Sequence, residues 1–168
     1  MPTASNMIRL GNSSVTVIGG AANWTNFSDA RFKNNIKENV KGLDFIMKLK
    51  PVTFNYDMHK LDAYTGIDES VYKDSEEMNK ARNDKEKIVY TGFLAQQVEE
   101  AAKQCGFDFS GVVKPQNEKT PYSLAYAEFV VPLVKGMQEQ QKQIEDLKQQ
   151  VEDLKTLLAE VLVKKDGK

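Results

Sequence analysis

The stretch VVPLVKGMQEQQKQIEDLKQQVEDLKTLLAEVLV, residues 130–163, decides the fold. A heptad lies along it without a break. Position a takes Val130, Met137, Ile144, Val151 and Leu158, and position d takes Leu133, Gln140, Leu147, Leu154 and Val161. Nine of the ten seam positions are apolar, and the flanks from Gln138 onward are almost all Glu, Gln, Lys and Asp. A narrow a/d stripe with polar flanks calls for partner helices of the same kind rather than a place in one globular core. Pro132 falls in the first turn, where a helix accepts it. From Val130 to Val161 the helix spans roughly 48 Å at 1.5 Å per residue. The mixed side chains at position a do not select two strands over three. Gln140, at a core d position, is expected to fix register, since three glutamines can hydrogen-bond around a three-fold axis.

Outward from this helix, bulk composition bounds the rest. The chain has 168 residues, 40% hydrophobic and 28% charged, with a mean hydropathy of -0.52. That is polar overall, with enough apolar material for a modest core. A net charge of -1 gives no electrostatic footprint for nucleic acid or an anionic membrane. No apolar run is long enough to span a bilayer, and Met1 to Leu10 lacks the pattern of a signal peptide. The single cysteine, Cys105, excludes an internal disulfide and a Cys-rich metal site, and reads as a buried small hydrophobe. The single histidine, His59, reads as a solvated loop residue. No metal and no cofactor is expected, and acid–base chemistry must fall to Lys, Asp, Glu or Tyr.

Four regions precede or join the helix. Residues 1–27 are poor in charge and punctuated by glycine, with β-branched alternation over Ser14 to Ile18. They read as short strands and turns with too little bulk to fold alone, the end of a β-rich stalk. Residues 28–128 read as a small mixed domain. It is expected to hold a helix over Val40 to Leu49 stopped by Pro51, a strand over Val52 to Tyr56 and a strand over Ile88 to Phe93. A helix over Leu94 to Gln104, with Leu94, Val98, Ala101 and Ala102 on its apolar side, ends at Gly106. Within this domain, Met58 to Lys87 is highly charged and reads as a largely solvated insertion, partly helical between Ser75 and Lys85. Residues 129–163 form the coiled-coil helix and 164–168 a polar tail. The fold class is α+β.

Ser28 and Lys33 stand five apart in SDARFK. With no histidine at hand, a neutral lysine amine is the natural base for a serine hydroxyl, and Ser–Lys pairs are a known solution. An ordinary lysine, with a pKa near 10.4, must be desolvated or set beside another cation to serve. Arg31 is close enough in sequence to be that cation. Five residues turn roughly 140° on a helix, and an odd separation puts side chains on opposite faces of a strand. The two therefore meet only across a turn or across chains. The bland reading makes Ser28 a helix N-cap with Asp29 in the first turn, and Lys33 a solvated lysine, and residue types alone favour it, since a serine and a lysine five apart are a common accident.

The run SDARFKNNI, 28–36, resembles the start of the self-cleaving intramolecular chaperone domain of phage endosialidases and tail spikes, the S74 peptidase family. LKPVTFNY, 49–56, YTGFLAQQVEE, 90–100, and YSLAYAEFVVPLVKGMQEQQKQIEDL, 122–147, resemble its later segments in order. The resemblance implies a C-terminal chaperone that assembles as a homotrimer on a tail fibre or tail spike, assists folding of the upstream segment of the same chain, and cuts itself off between Phe27 and Ser28. It implies Ser28 as nucleophile and Lys33 as base of a single-turnover serine peptidase, with Asp29 and Arg31 in structural or pKa-setting roles. It also implies manufacture in a bacterial cytoplasm, with the parent fibre in a phage virion or at the cell surface. No nucleic acid or membrane partner is expected. The alternative is a trimerisation or attachment domain of a fibre protein that does not cleave.

Overall fold

The computed structural model describes residues 6–12, 14–73 and 75–166. The first residues of the expected stalk segment, 1–5 and 13, position 74 of the insertion and the tail residues 167–168 lie outside the described residues. The architecture is mixed helix and sheet. In chain order come a 3-10 turn (Ala30–Phe32), α1 (Leu43–Ile46), β1 (Val52–Phe54), α2 (Met58–Thr65), α3 (Ser70–Lys73) and α4 (Glu76–Glu86). They are followed by β2 (Tyr90–Gly92), α5 (Ala95–Gln104), β3 (Val112–Val113), β4 (Ser123–Leu124), a 3-10 turn (Tyr126–Phe129) and α6 (Val130–Asp166).

Two short antiparallel pairs frame the body. β1 pairs with β2 so that Val52, Thr53 and Phe54 face Gly92, Thr91 and Tyr90, and β3 pairs with β4. Between them α5 buries Ala95, Val98, Ala101 and Ala102. Leu94 stands outside that face: it is the N-cap residue and is exposed, because the helix starts one residue later than expected. Gly106, at φ 59°, supplies the left-handed stop. Phe45, Phe109 and Phe129 join α5 in one apolar cluster. Ring centroids lie 4.9 Å apart for Phe45–Phe109 and 4.8 Å for Phe109–Phe129, the tilted and edge-on geometries that aromatic quadrupoles favour. Cys105 is buried in this cluster, as expected of a small hydrophobe; burial pushes its thiol pKa up.

The helix expected over Val40 to Leu49 contracts to Leu43–Ile46. Its start is fixed by close contact with α6. A Cβ on Gly42 would sit 2.7 Å from the Gly136 backbone nitrogen, so only glycine admits this approach. Glu139 of α6 then caps α1: its Oε2 accepts from the Leu43 N–H at 2.8 Å. Along α6 and the turn before it, Phe129, Pro132 and Gly136 are buried at helical spacing toward the body. The a/d seam lies on another side. Its apolar members are all exposed, from 39% for Ile144 to 70% for Met137. The helix also runs to Asp166, so most of the expected tail is helical.

Met58 to Lys87 is more ordered than its composition suggests. It forms α2, α3 and α4, entered and left through the paired strands β1 and β2. Asp57 caps α2 and Ser75 caps α4. Glu86 reaches back to accept from the Met58 N–H at 2.7 Å, tying the start of the excursion to its end. At the centre Arg82, 1% exposed, faces Asp62: Nε lies 3.3 Å from Oδ2, an ion pair without hydrogen-bond geometry. The Arg82 guanidinium also lies 4.2 Å from the centroid of the Tyr72 ring, and its Nη2 donates to His59 Nδ1 at 2.7 Å. His59 is therefore exposed, as expected, but it is a helical residue with a partner rather than a loop histidine. Polar residues build this small core, which is why a count of large apolar side chains does not reveal it.

Residues 14–27 carry no strand among the described residues. The alternation over Ser14 to Ile18 suits pairing, but a strand needs a neighbour, and no described segment pairs with this one.

Candidate active site

Asp29 organises the segment that holds Ser28 and Lys33. Its side chain accepts from the Arg31 N–H at 2.9 Å, capping the 3-10 turn Ala30–Phe32. Phe32 N–H donates to Asp29 O and Lys33 N–H to Ala30 O, each at 3.1 Å, which closes the turn. Lys33 leaves it in extended geometry, at φ -111° and ψ 128°. Its side chain folds back, and Nζ donates to Ser28 Oγ at 2.8 Å. The spacing problem is thus met by a turn within one chain. Asn35, at φ 55°, turns the chain again just beyond; asparagine tolerates this left-handed region, and the Asn34–Asn35 pair was the available signal for it.

Two readings of the neighbours change. The cap is Asp29, not Ser28, so the serine hydroxyl is free to meet Lys33. Arg31 is not aimed at Lys33. Its guanidinium forks onto Asp29, with Nε 3.1 and 3.0 Å from the two carboxylate oxygens and Nη2 2.6 Å from Oδ2. The Arg31 side chain, then its backbone N–H, hold the Asp29 carboxyl below its ordinary pKa, and Asp29 raises that of Arg31. The pair is a clamp on the turn.

The site stands open to water. Residues 16–39 are exposed throughout, including Trp24, Phe27, Ser28 and Lys33, and Phe27 is fully so. No cluster of three or more His, Cys, Asp or Glu able to hold a metal occurs among the described residues. No described helix is long and apolar enough to cross a membrane.

Away from this pair, Tyr126 Oη accepts from the Phe93 N–H at 3.1 Å, and a Cβ at Gly92 would collide with that oxygen. Glu99 gathers Lys114 Nζ at 2.9 Å, Lys103 Nζ at 3.1 Å and the Tyr122 hydroxyl at 3.0 Å, which together lower its pKa to about 2. Sequence reasoning missed both groups, because Tyr126 with Phe93, and Lys114 and Tyr122 with Glu99, meet from distant parts of the chain.

Residues 28–107 match the family model described as chaperone of endosialidase, Peptidase S74. The match opens at Ser28 and takes in the turn, the three-helix insertion and α5. It stops before the tyrosine-to-heptad stretch. No curated protein and no solved structure matches the chain.

Proposed function

We propose, on the match of residues 28–107 to the chaperone-of-endosialidase family model, that this chain is a C-terminal intramolecular chaperone that trimerises through α6 and releases itself by cutting between Phe27 and Ser28. The observation that carries the cut is the Ser28 Oγ–Lys33 Nζ contact of 2.8 Å. Neutral Lys33 takes the Ser28 hydroxyl proton as Oγ attacks the carbonyl carbon of Phe27. The Phe27–Ser28 C–N bond breaks, the Ser28 nitrogen receives the proton from Lys33, and Phe27 is left as an ester on Oγ. Water, deprotonated by the same amine, hydrolyses the ester to a Phe27 carboxylate and restores the hydroxyl. Asp29 and Arg31 position the pair by holding the turn.

Lysine must be neutral for the first step, and the pair is exposed in one chain. A neighbouring copy closing over it strips its water and favours the amine. Cleavage then waits for assembly. The exposed a/d seam supports association, and the flanks support a parallel one. Positions e carry Lys148 and Lys155 while positions g carry Gln143 and Gln150. Parallel packing sets lysine against glutamine, whereas antiparallel packing sets lysine against lysine. Chaperoning follows from holding chains together: pairing between strands of a fibre is non-local and slow, and tethering raises effective concentration and sets register. Synthesis in a bacterial cytoplasm, with the fibre bound for a phage virion or a cell surface, belongs to this reading.

The test is the intact mass of the purified protein, native and denatured, beside Ser28→Ala. A wild-type fragment beginning at Ser28, absent from the variant and drawn from a trimer, is the expected result. An uncut wild-type trimer overturns the self-cleavage. It would favour the non-cleaving trimerisation domain, a reading to which the open, hydrated lysine lends some support.

A further inference from the structure

Arg82 carries the buried charge at the centre of the three-helix insertion. Its Nε has no hydrogen-bond partner, while its Nη2 donates to His59 Nδ1 at 2.7 Å. A guanidinium accepts nothing, so Nδ1 must offer its lone pair and carry no proton. The other ring nitrogen, Nε2, lies 3.4 Å from Asn83 Oδ1, where an N–H donates. Both contacts select one neutral tautomer. The ring is nonetheless exposed, so water can deliver a proton to it. It is the chain's single histidine.

We propose that His59 is a proton-operated latch on the insertion. A proton on Nδ1 turns the acceptor into a donor, and two donors cannot share a hydrogen bond. The ring must then leave Arg82, and Glu69 is placed to receive it, with Oε1 3.9 Å from Nδ1. Other charges face the ring or its partner. From α4, Glu86 Oε1 accepts from the His59 N–H at 3.3 Å. Within α2, Asp62 shares the Arg82 guanidinium, and Asp57 caps the helix at the Lys60 N–H. Tyr72 of α3 covers the guanidinium with its ring. The imidazolium thus gains an exposed partner, which is worth little. Arg82 stays buried and loses a bond, which costs more. An opened insertion binds the proton that the closed one refuses. Its stability is therefore present above the ordinary imidazole range and is lost as pH falls through it.

Hydrogen exchange of the α2 and α4 amides at about pH 7.5 and about pH 5.5, on the full chain and corrected for intrinsic rates, tests the latch. A proton excluded from the closed state and taken up by an ordinary imidazole in the opened one should lower protection about tenfold between them. The α5 amides should keep theirs, since ordinary carboxylates titrate below this window. His59→Gln, whose amide oxygen still accepts but does not titrate, should remove the pH response. His59→Lys, a permanent cation, should exchange at the higher pH as fast as wild type does at the lower. Nitrogen magnetic resonance of the single imidazole at the higher pH should find Nδ1 bare and Nε2 protonated. Should His59→Gln lose α4 protection outright, the wild-type response and the nitrogen spectrum decide. A wild-type fall below about twofold, an equal fall in a folded His59→Gln, or a proton on Nδ1 at the higher pH overturns the latch.

Discussion

Gly42→Ala should loosen the body from α6. The new methyl would lie 2.7 Å from the Gly136 nitrogen and 2.5 Å from Glu139 Oε2. The carboxylate can swing away, but the helix backbone cannot, so α1 must move. Overpacking of this kind costs about 1–3 kcal/mol. Moving α1 also releases the Leu43 N–H from Glu139, a bond to a charged acceptor worth about 1.5 kcal/mol in this half-buried setting. The sum is about 3 kcal/mol. With a urea slope of about 2 kcal/mol/M, the midpoint should fall by about 1.5 M. The probe should be near-ultraviolet circular dichroism, which follows the Phe45, Phe109 and Phe129 cluster rather than α6, at fixed protein concentration because association contributes to stability. Glu139→Ala alone should lower the midpoint by about half as much. The double variant should cost less than the two single costs added, since both act on one contact. A midpoint shift below about 0.2 M for Gly42→Ala would refute the claim that this contact seats the body on the helix.

Further outcomes follow from other parts of the molecule. Asp29→Ala removes the cap of the turn and should slow the appearance of the proposed fragment starting at Ser28 about fivefold on a gel time course. Asp29→Asn, which still caps, should recover most of that rate. Arg82→Met leaves Asp62 buried and unpaired, at about 3–5 kcal/mol, and should abolish hydrogen-exchange protection in α2 and α4. Pairing it with Asp62→Leu should restore that protection. Glu99 has its pKa lowered from an ordinary 4.5 to about 2, chiefly by Lys114, then Lys103 and Tyr122. Its contribution to stability is therefore fully present above about pH 4.5 and is lost as pH falls toward 2, and Glu99→Gln should flatten that part of an acid unfolding curve.

Legibility in the sequence followed the range of the interactions. The α6 heptad, the face of α5 around Val98 and the stop at Gly106 depend on neighbours within two turns, and periodicity reveals them. α1 depends on Glu139, 96 positions away, and no local pattern shows that Gly42 must touch Gly136. The insertion escaped because its centre is Arg82, Asp62 and Tyr72 rather than leucine and valine. For the candidate site, Ser28 and Lys33 were legible as a pair only with the family resemblance, and their spacing left either an intervening turn or a contact across chains. That the turn is capped by Asp29, and that Arg31 answers Asp29 instead of Lys33, was a matter of geometry. Strand alternation over Ser14 to Ile18 was real in composition, yet backbone pairing requires a second strand.

The two stripes of α6 also key the body to its shaft. Phe129, Pro132, Gly136 and Glu139 sit about a third of a turn from the a/d seam, at 100° per residue. In a parallel bundle each body is therefore fixed in azimuth, and all lean with the same hand around the axis. Height is fixed as well. A slip of one heptad in one helix raises its body by about 10 Å and lifts its Phe27–Ser28 loop out of the plane of the others. In the proposed trimer, three loops at one level would mean three helices in step, and the position of each proposed cut would carry a readout of alignment along the shaft.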